Sequence, residues 1–121
     1  MSPTQRTLKL LRGLGFIAQI TEHWNGFARR RIDLFGFGDI VALSAPGVSA
    51  EYSGLWLIQV TSGTNHSKRR TKILNECSAA FDRWVSHGGR VAVVSWSKKG
   101  GRYAPRWEEL GAHTILLASA K

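Results

Sequence analysis

Cysteine, proline, methionine and acid are all scarce in this chain. Its 121 residues include one cysteine, Cys77, three prolines and one methionine, and only 8 Asp+Glu stand against 17 Lys+Arg. A single cysteine excludes an internal disulfide, and with four scattered histidines it excludes a Cys-rich structural zinc site. No run of about 18 apolar residues occurs, so no membrane-spanning helix is expected. The first residues carry Arg6, Lys9 and Arg12 in an amphipathic pattern where a leader would have an apolar core. A soluble, cytoplasmic chain with no membrane partner is the expectation.

What is present is enough for a core. The chain is 43% hydrophobic with five Trp and five Phe, which excludes disorder and predicts one globular domain over residues 1–121. The formal charge of +9 raises the potential around so small a body and draws polyanions to it. The basic residues cluster as Arg29-Arg30-Arg31, Lys68-Arg69-Arg70 with Lys72, and Lys98-Lys99 with Arg102, with Arg106 nearby. Each cluster lies beside a turn or helix start, so nucleic acid is the expected partner and these residues its phosphate contacts.

Ser2-Pro3-Thr4-Gln5 has the cap, first-turn proline and third-position Gln of a helix start, and Leu8, Leu10, Leu11 and Leu14 make one stripe, so a helix is predicted over 3–14. From Phe16 to Trp24 the period is two and predicts one strand, ending at the Asn25-Gly26 turn. Residues 32–43 read as extended chain bent at Gly36 and Gly38, and 45–53 as a loop. Residues 54–62 read as a central strand, with Leu55, Leu57, Gln59 and Thr61 opposite Trp56, Ile58 and Val60. Thr64 or Asn65 then caps one long helix with the stripe Ile73, Leu74, Cys77, Ala80, Phe81, Trp84 and Val85, ended by Gly88-Gly89. Val91–Trp96 reads as a buried strand, Lys98–Gly101 as a hairpin turn, and Arg102–Trp107 and Thr114–Ala118 as weaker strands. The predicted order is α-β-β-β-α-β-β-β, an α/β domain with a mixed central sheet flanked by helices.

Two segments put polar groups where a packed sheet wants apolar ones: Asp39 at the lip of Ile40-Val41-Ala42-Leu43, and Gln59 and Thr61 within Leu57-Ile58-Gln59-Val60-Thr61-Ser62. An acid entering one strand, a polar pair at i and i+2 on the next, and a helix after it resemble the PD-(D/E)XK nuclease superfamily. The likeness is to archaeal Holliday-junction resolvases and small phage replication-repair (VRR-NUC-like) nucleases, over residues 3–87. There the second motif usually reads Glu-Val-Lys-Ser; here it reads Gln59-Val60-Thr61-Ser62. The run from Arg30 to Asp39 is similar to a recurring stretch in phage-type members.

The resemblance implies a restriction-endonuclease-like α-β-β-β-α-β core and metal-dependent hydrolysis of phosphodiester bonds in DNA, with branched or repair intermediates as candidate substrates. It implies Mg²⁺ or Mn²⁺ as cofactor, a homodimer, and a bacterial or phage origin. Carried over by position, Asp39 is the metal-binding acid, Gln59 the second ligand, Val60 a carbonyl ligand, Thr61 the catalytic-lysine position, and Glu22 the extra acid near the N-terminus. Gln59 keeps an oxygen donor but loses a charge, so weaker metal binding is expected unless Glu22 or Glu76 supplies a carboxylate. A hydroxyl at Thr61 lacks the positive charge of lysine. Lys68 is the first substitute by reach, then Lys72, with His66 a candidate for proton transfer.

Other readings of the same residues stand beside these. Asp33, next to Arg30 and Arg31, is most simply a structural ion pair, and Glu22 alone an exposed strand residue or a salt-bridge partner of the Arg triplet. The tryptophans read mostly as core, Trp96 excepted. It borders the basic hairpin Ser97–Tyr103, where an aromatic could stack on an unpaired base. The alternative to an enzyme is a catalytically inactive nuclease-fold DNA-binding module.

Overall fold

In the computed structural model, which describes residues 1–111, Ser2 Oγ accepts from the Gln5 N–H at 3.1 Å and opens helix α1, Pro3–Gly13. Leu8 and Leu11 are buried, whereas Leu14 is the exposed C-cap, so the apolar stripe stops one turn earlier than its spacing implies. Short strands follow: β1 (Ile17–Ile20), β2 (His23–Asn25), β3 (Arg30–Ile32) and β4 (Ile40–Leu43). β5 (Leu55–Ser62) leads through a 3₁₀ turn at Gly63–Asn65 into α2 (His66–Asn75) and α3 (Ser78–Ser86). β6 (Arg90–Lys99) and β7 (Arg102–Leu110) complete the described chain.

Five strands form a mixed sheet in the order β1-β4-β5-β6-β7. Only β5 and β6 are parallel, and α2 with α3 supplies the crossover that a parallel pair needs. Alternation along β5 splits the core. Trp56, Ile58 and Val60 pack with Leu8 and Leu11 of α1, while Leu57 packs with Phe37, Ile73 and Phe81 on the face covered by α2 and α3. Each fully buried side chain such as Leu11 or Phe81 contributes roughly 1.5–3 kcal/mol. Gln59 and Thr61 lie on that second face and are buried there. Among the described residues, no helix is long and apolar enough to cross a membrane.

The structure departs from the sequence expectations in three elements. The single strand over Phe16–Trp24 is two, because β4 pairs with β1 only as far as Ile20 and the chain beyond Glu22 finds its partner in β3. The single long helix is also two. It bends at Glu76 and Cys77, yet Ile73 and Phe81 remain buried against the same cluster, so the spacing of the stripe conceals the break. Neither Thr64 nor Asn65 caps α2 with its side chain. The strand expected over Arg102–Trp107 runs on to Leu110, joined to β6 by Gly100 and Gly101, both at positive φ as a two-residue hairpin turn requires. The strand expected at Thr114–Ala118 lies outside the described residues.

Candidate functional site

Asp39 stands one residue before the Ile40–Ile58 pair, which sets it directly across from Gln59. Its N–H donates to Ile58 O and its carbonyl accepts from Thr21 N, both at 2.8 Å, so the backbone is held from two sides. The preceding Gly38 lies against Leu57 so closely that a Cβ there would overlap the leucine side chain. Asp39 is 4% exposed, and its Oδ2 accepts from Val60 N at 2.8 Å and from Gln59 Nε2 at 2.7 Å. Because Oδ2 already accepts from a backbone N–H, Gln59 must present its amide nitrogen to it. Gln59 Oε1 is thereby left buried with no partner. An orphaned acceptor of this kind costs about 1–3 kcal/mol and calls for a cause.

Turn chemistry brings two more carboxylates to the same place. Leu34 and Gly38 exchange backbone hydrogen bonds at 2.9 and 2.8 Å around a loop in which Phe35 and Gly36 have φ of 57° and 87° and Phe37 is buried. Asp33 and Asp39 flank that bridge and so oppose one another. On its other side Asp33 opposes Glu22, one residue beyond the His23–Ile32 pair. Glu22, Asp33 and Asp39 each present a carboxylate oxygen, and these lie within 4.8 Å of one another. Burial, a hydrogen bond shared with Asp33, and the charges of Asp33 and Glu22 push the Asp39 carboxyl up to about 8, against the opposing pull of the Val60 N–H.

The expected site residues separate into those that converge and those that do not. Glu22, Asp39 and Gln59 come together, and Glu22 also lies 3.9 Å from Arg31. Val60 serves the site through its N–H. Asp33 belongs to the acidic cluster and forms no ion pair with Arg30 or Arg31 among the described residues, which corrects its reading as a structural partner of the Arg triplet. The signal for it was in the sequence: two acids flanking a short loop with Gly36 and Gly38 are returned to each other by the turn. Thr61 is buried beside Ser95 in register, with no side-chain hydrogen bond. Lys68 is exposed and lines a groove along α2 with Arg69, Lys72, Asn75 and Glu76. Arg31 brings positive charge within 3.9 Å of Glu22, and among the described residues Glu76 is not part of the acidic cluster.

His66 is buried and fully engaged. Its Nδ1 lies 2.6 Å from Ser95 Oγ and its Nε2 2.9 Å from Glu108 Oε1, while Arg70 donates to Glu108 Oε2 at 3.1 Å. Burial raises the Glu108 carboxyl, but His66 and Arg70 outweigh it and hold the group below its ordinary value. This network pins the start of α2 to β6 and β7. It gives His66 a structural place, and it ties Arg70 to Glu108.

Among the aromatics, Trp56 is buried and Trp96 is half-buried with its Nε1 bonded to Thr7 Oγ1 at 2.9 Å, so Trp96 is no exception to the core reading. The exception is Trp24, 62% exposed on β2. In the Lys98–Tyr103 hairpin, Tyr103 carries the Arg6 guanidinium over its ring at 4.0 Å. Arg29, Arg30, Arg31, Lys98, Lys99 and Arg102 are exposed and available to a polyanion. No family model, curated protein or solved structure matches the chain.

Proposed function

We propose that this chain is a divalent-metal-dependent nuclease of the PD-(D/E)XK type that hydrolyses phosphodiester bonds in DNA. One observation carries the reading: three carboxylates meet at the entrance of β4, across from a buried Gln59 in mid-β5 whose carboxamide oxygen has no partner, and beside an exposed arginine. Carboxylates crowded in this way repel one another unless a proton or a cation lies among them. An all-oxygen donor set fits Mg²⁺ or Mn²⁺ and suits neither a soft metal nor an organic cofactor.

Asp39, Asp33, Glu22 and Gln59 Oε1 would hold the cation. When bound, it supplies charge neutralisation at the phosphate and a water made nucleophilic near neutral pH. The chain's own groups set the stage for that chemistry. Val60 N–H and Gln59 Nε2 fix the Asp39 carboxylate, Gly38 lets its backbone approach Leu57, and the Leu34–Gly38 bridge holds Asp33 against it. Arg31, 67% exposed at its side chain, stands in for the lysine that Thr61 replaces, offering positive charge to a phosphate on the open side of the acids. The remaining exposed basic residues hold the flanking phosphates.

Incubation of supercoiled, linear, single-stranded and branched DNA with Mg²⁺ or Mn²⁺ tests the reading. Metal-dependent cleavage that disappears in Asp39→Asn supports it. Binding without cleavage of any substrate in either metal overturns it and favours a second reading, the non-cleaving DNA-binding module. The burial of Thr61 and the outward position of Lys68 weigh toward that alternative.

A further inference from the structure

Between Glu22 and Asp33 the chain leaves the main sheet as a two-stranded hairpin in which no residue is buried. Isolated two-stranded hairpins are marginal in water, and this one spends no apolar surface on the core. Trp24 is nonetheless 62% exposed and Phe27, at the tip, 104%. The tip is pre-shaped: Asn25 Oδ1 accepts from the N–H groups of Phe27 and Ala28, both at 2.9 Å, and Arg29 sits at a φ of 51°. Arg31 lies opposite Trp24 and Arg30 opposite Asn25, so aromatic rings and guanidinium groups share one short, ordered projection.

We propose that this hairpin is a stacking arm for an unpaired DNA strand, which makes single-stranded or branched DNA the substrate class of the acidic site. The proposal rests on the nuclease reading only in what the bound strand is delivered to. In a duplex the base faces are covered by their neighbours, so exposed rings find partners only where bases are unpaired or unstacked. The arginines meet the phosphates of the same strand. Placement favours this ligand over a membrane surface, since the hairpin is rooted at Glu22 and Asp33 of the acidic cluster, so that a strand held on it reaches the proposed site. Two residues of extended chain, about 7 Å, separate Trp24 from Glu22, so a strand stacked on the arm lies beside the acids.

The test is fluorescence anisotropy in EDTA, where hydrolysis is prevented, with a labelled single strand, its duplex and a forked duplex. RNA of the same sequence and phosphatidylserine vesicles are the controls. The expected result is tighter binding of the single strand and the fork than of the duplex. Trp24→Ala and Phe27→Ala should each weaken single-strand binding by about tenfold or more and duplex binding by less. Phe27→Tyr, which keeps a ring, should retain the affinity, and thermal unfolding verifies that each variant is folded. Equal affinity for single strand and duplex, or indifference to both alanine variants, overturns the arm and leaves the nuclease reading standing. So does binding to vesicles without a single-strand preference, and so does binding of RNA alone. Single-strand binding that depends on Phe27, with no cleavage of any DNA in Mn²⁺, overturns the nuclease reading and spares the arm.

Discussion

Gln59 donates through Nε2 to Asp39 Oδ2 at 2.7 Å, a bond that an ionised glutamate at the same position has no proton to make. The glutamine therefore relieves the crowding of the acids while leaving its own carbonyl oxygen unpaired. Gln59→Glu removes the bond and adds a fourth carboxylate, so in EDTA at neutral pH the variant should lose about 1–3 kcal/mol in urea unfolding. Mg²⁺ or Mn²⁺ should then stabilise it more than it stabilises the parent chain. An identical metal increment in both proteins would count against a cation among these side chains.

Asp39 makes metal-free stability depend on pH with a definite sign. Its carboxyl is raised in the folded state to about 8 by burial, by Asp33 and by the charges of Asp33 and Glu22. The stability gained by keeping the proton is complete below its ordinary range near pH 3.9 and is lost as pH rises through about 8. Denaturation in EDTA at pH 5, 7 and 9 should show a decline that is absent from Asp39→Asn, and saturating Mg²⁺ should flatten it in the parent. A pH difference of the same size in Asp39→Asn would assign the effect elsewhere.

Gly38→Ala introduces a Cβ into the space of the Leu57 side chain. Overpacking at such a contact costs about 1–3 kcal/mol, and here it also displaces the residue that precedes Asp39. Calorimetry should show a lowered midpoint, and titration with Mn²⁺ a weaker affinity. An unchanged metal affinity would separate the glycine from the geometry of the acids.

Ser95→Ala leaves His66 Nδ1 without its partner at 2.6 Å in a buried setting. The expected loss is about 1–3 kcal/mol of stability by urea unfolding, with the metal-induced stabilisation preserved. Loss of the metal response together with stability would join the His66 network to the acidic cluster instead of to the packing of α2.

Much of the candidate site was legible because strand alternation is a local property. Gln59 and Thr61 at i and i+2 had to share a face, and Asp39 beside a run of apolar strand residues had to be either buried or exceptional. Asp33 was harder to see, since its neighbours in sequence are Arg30 and Arg31 while its neighbour in space is Asp39, reached only when the Leu34–Gly38 bridge closes. Lys68 shows the limit of proximity along the chain. Proximity in sequence to Thr61 suggested reach, but its position on α2 turns it to an outer groove. Trp24 and Trp96 exchanged expectations for the same reason: which ring is covered depends on where β2 leaves the sheet and where α1 comes to rest.

Composition and periodicity by themselves determined a basic α/β domain with a mixed sheet, a central β5, and polar residues out of place on it, because those properties follow from charge counts and from spacings of two and of three to four residues. Tertiary structure alone decided that the strand after Phe16 divides, that the helix after Gly63 bends, and that Asp33 joins Glu22 and Asp39. Those outcomes depend on which strand finds which partner and where a pairing ends, and pairing joins residues that the chain keeps far apart.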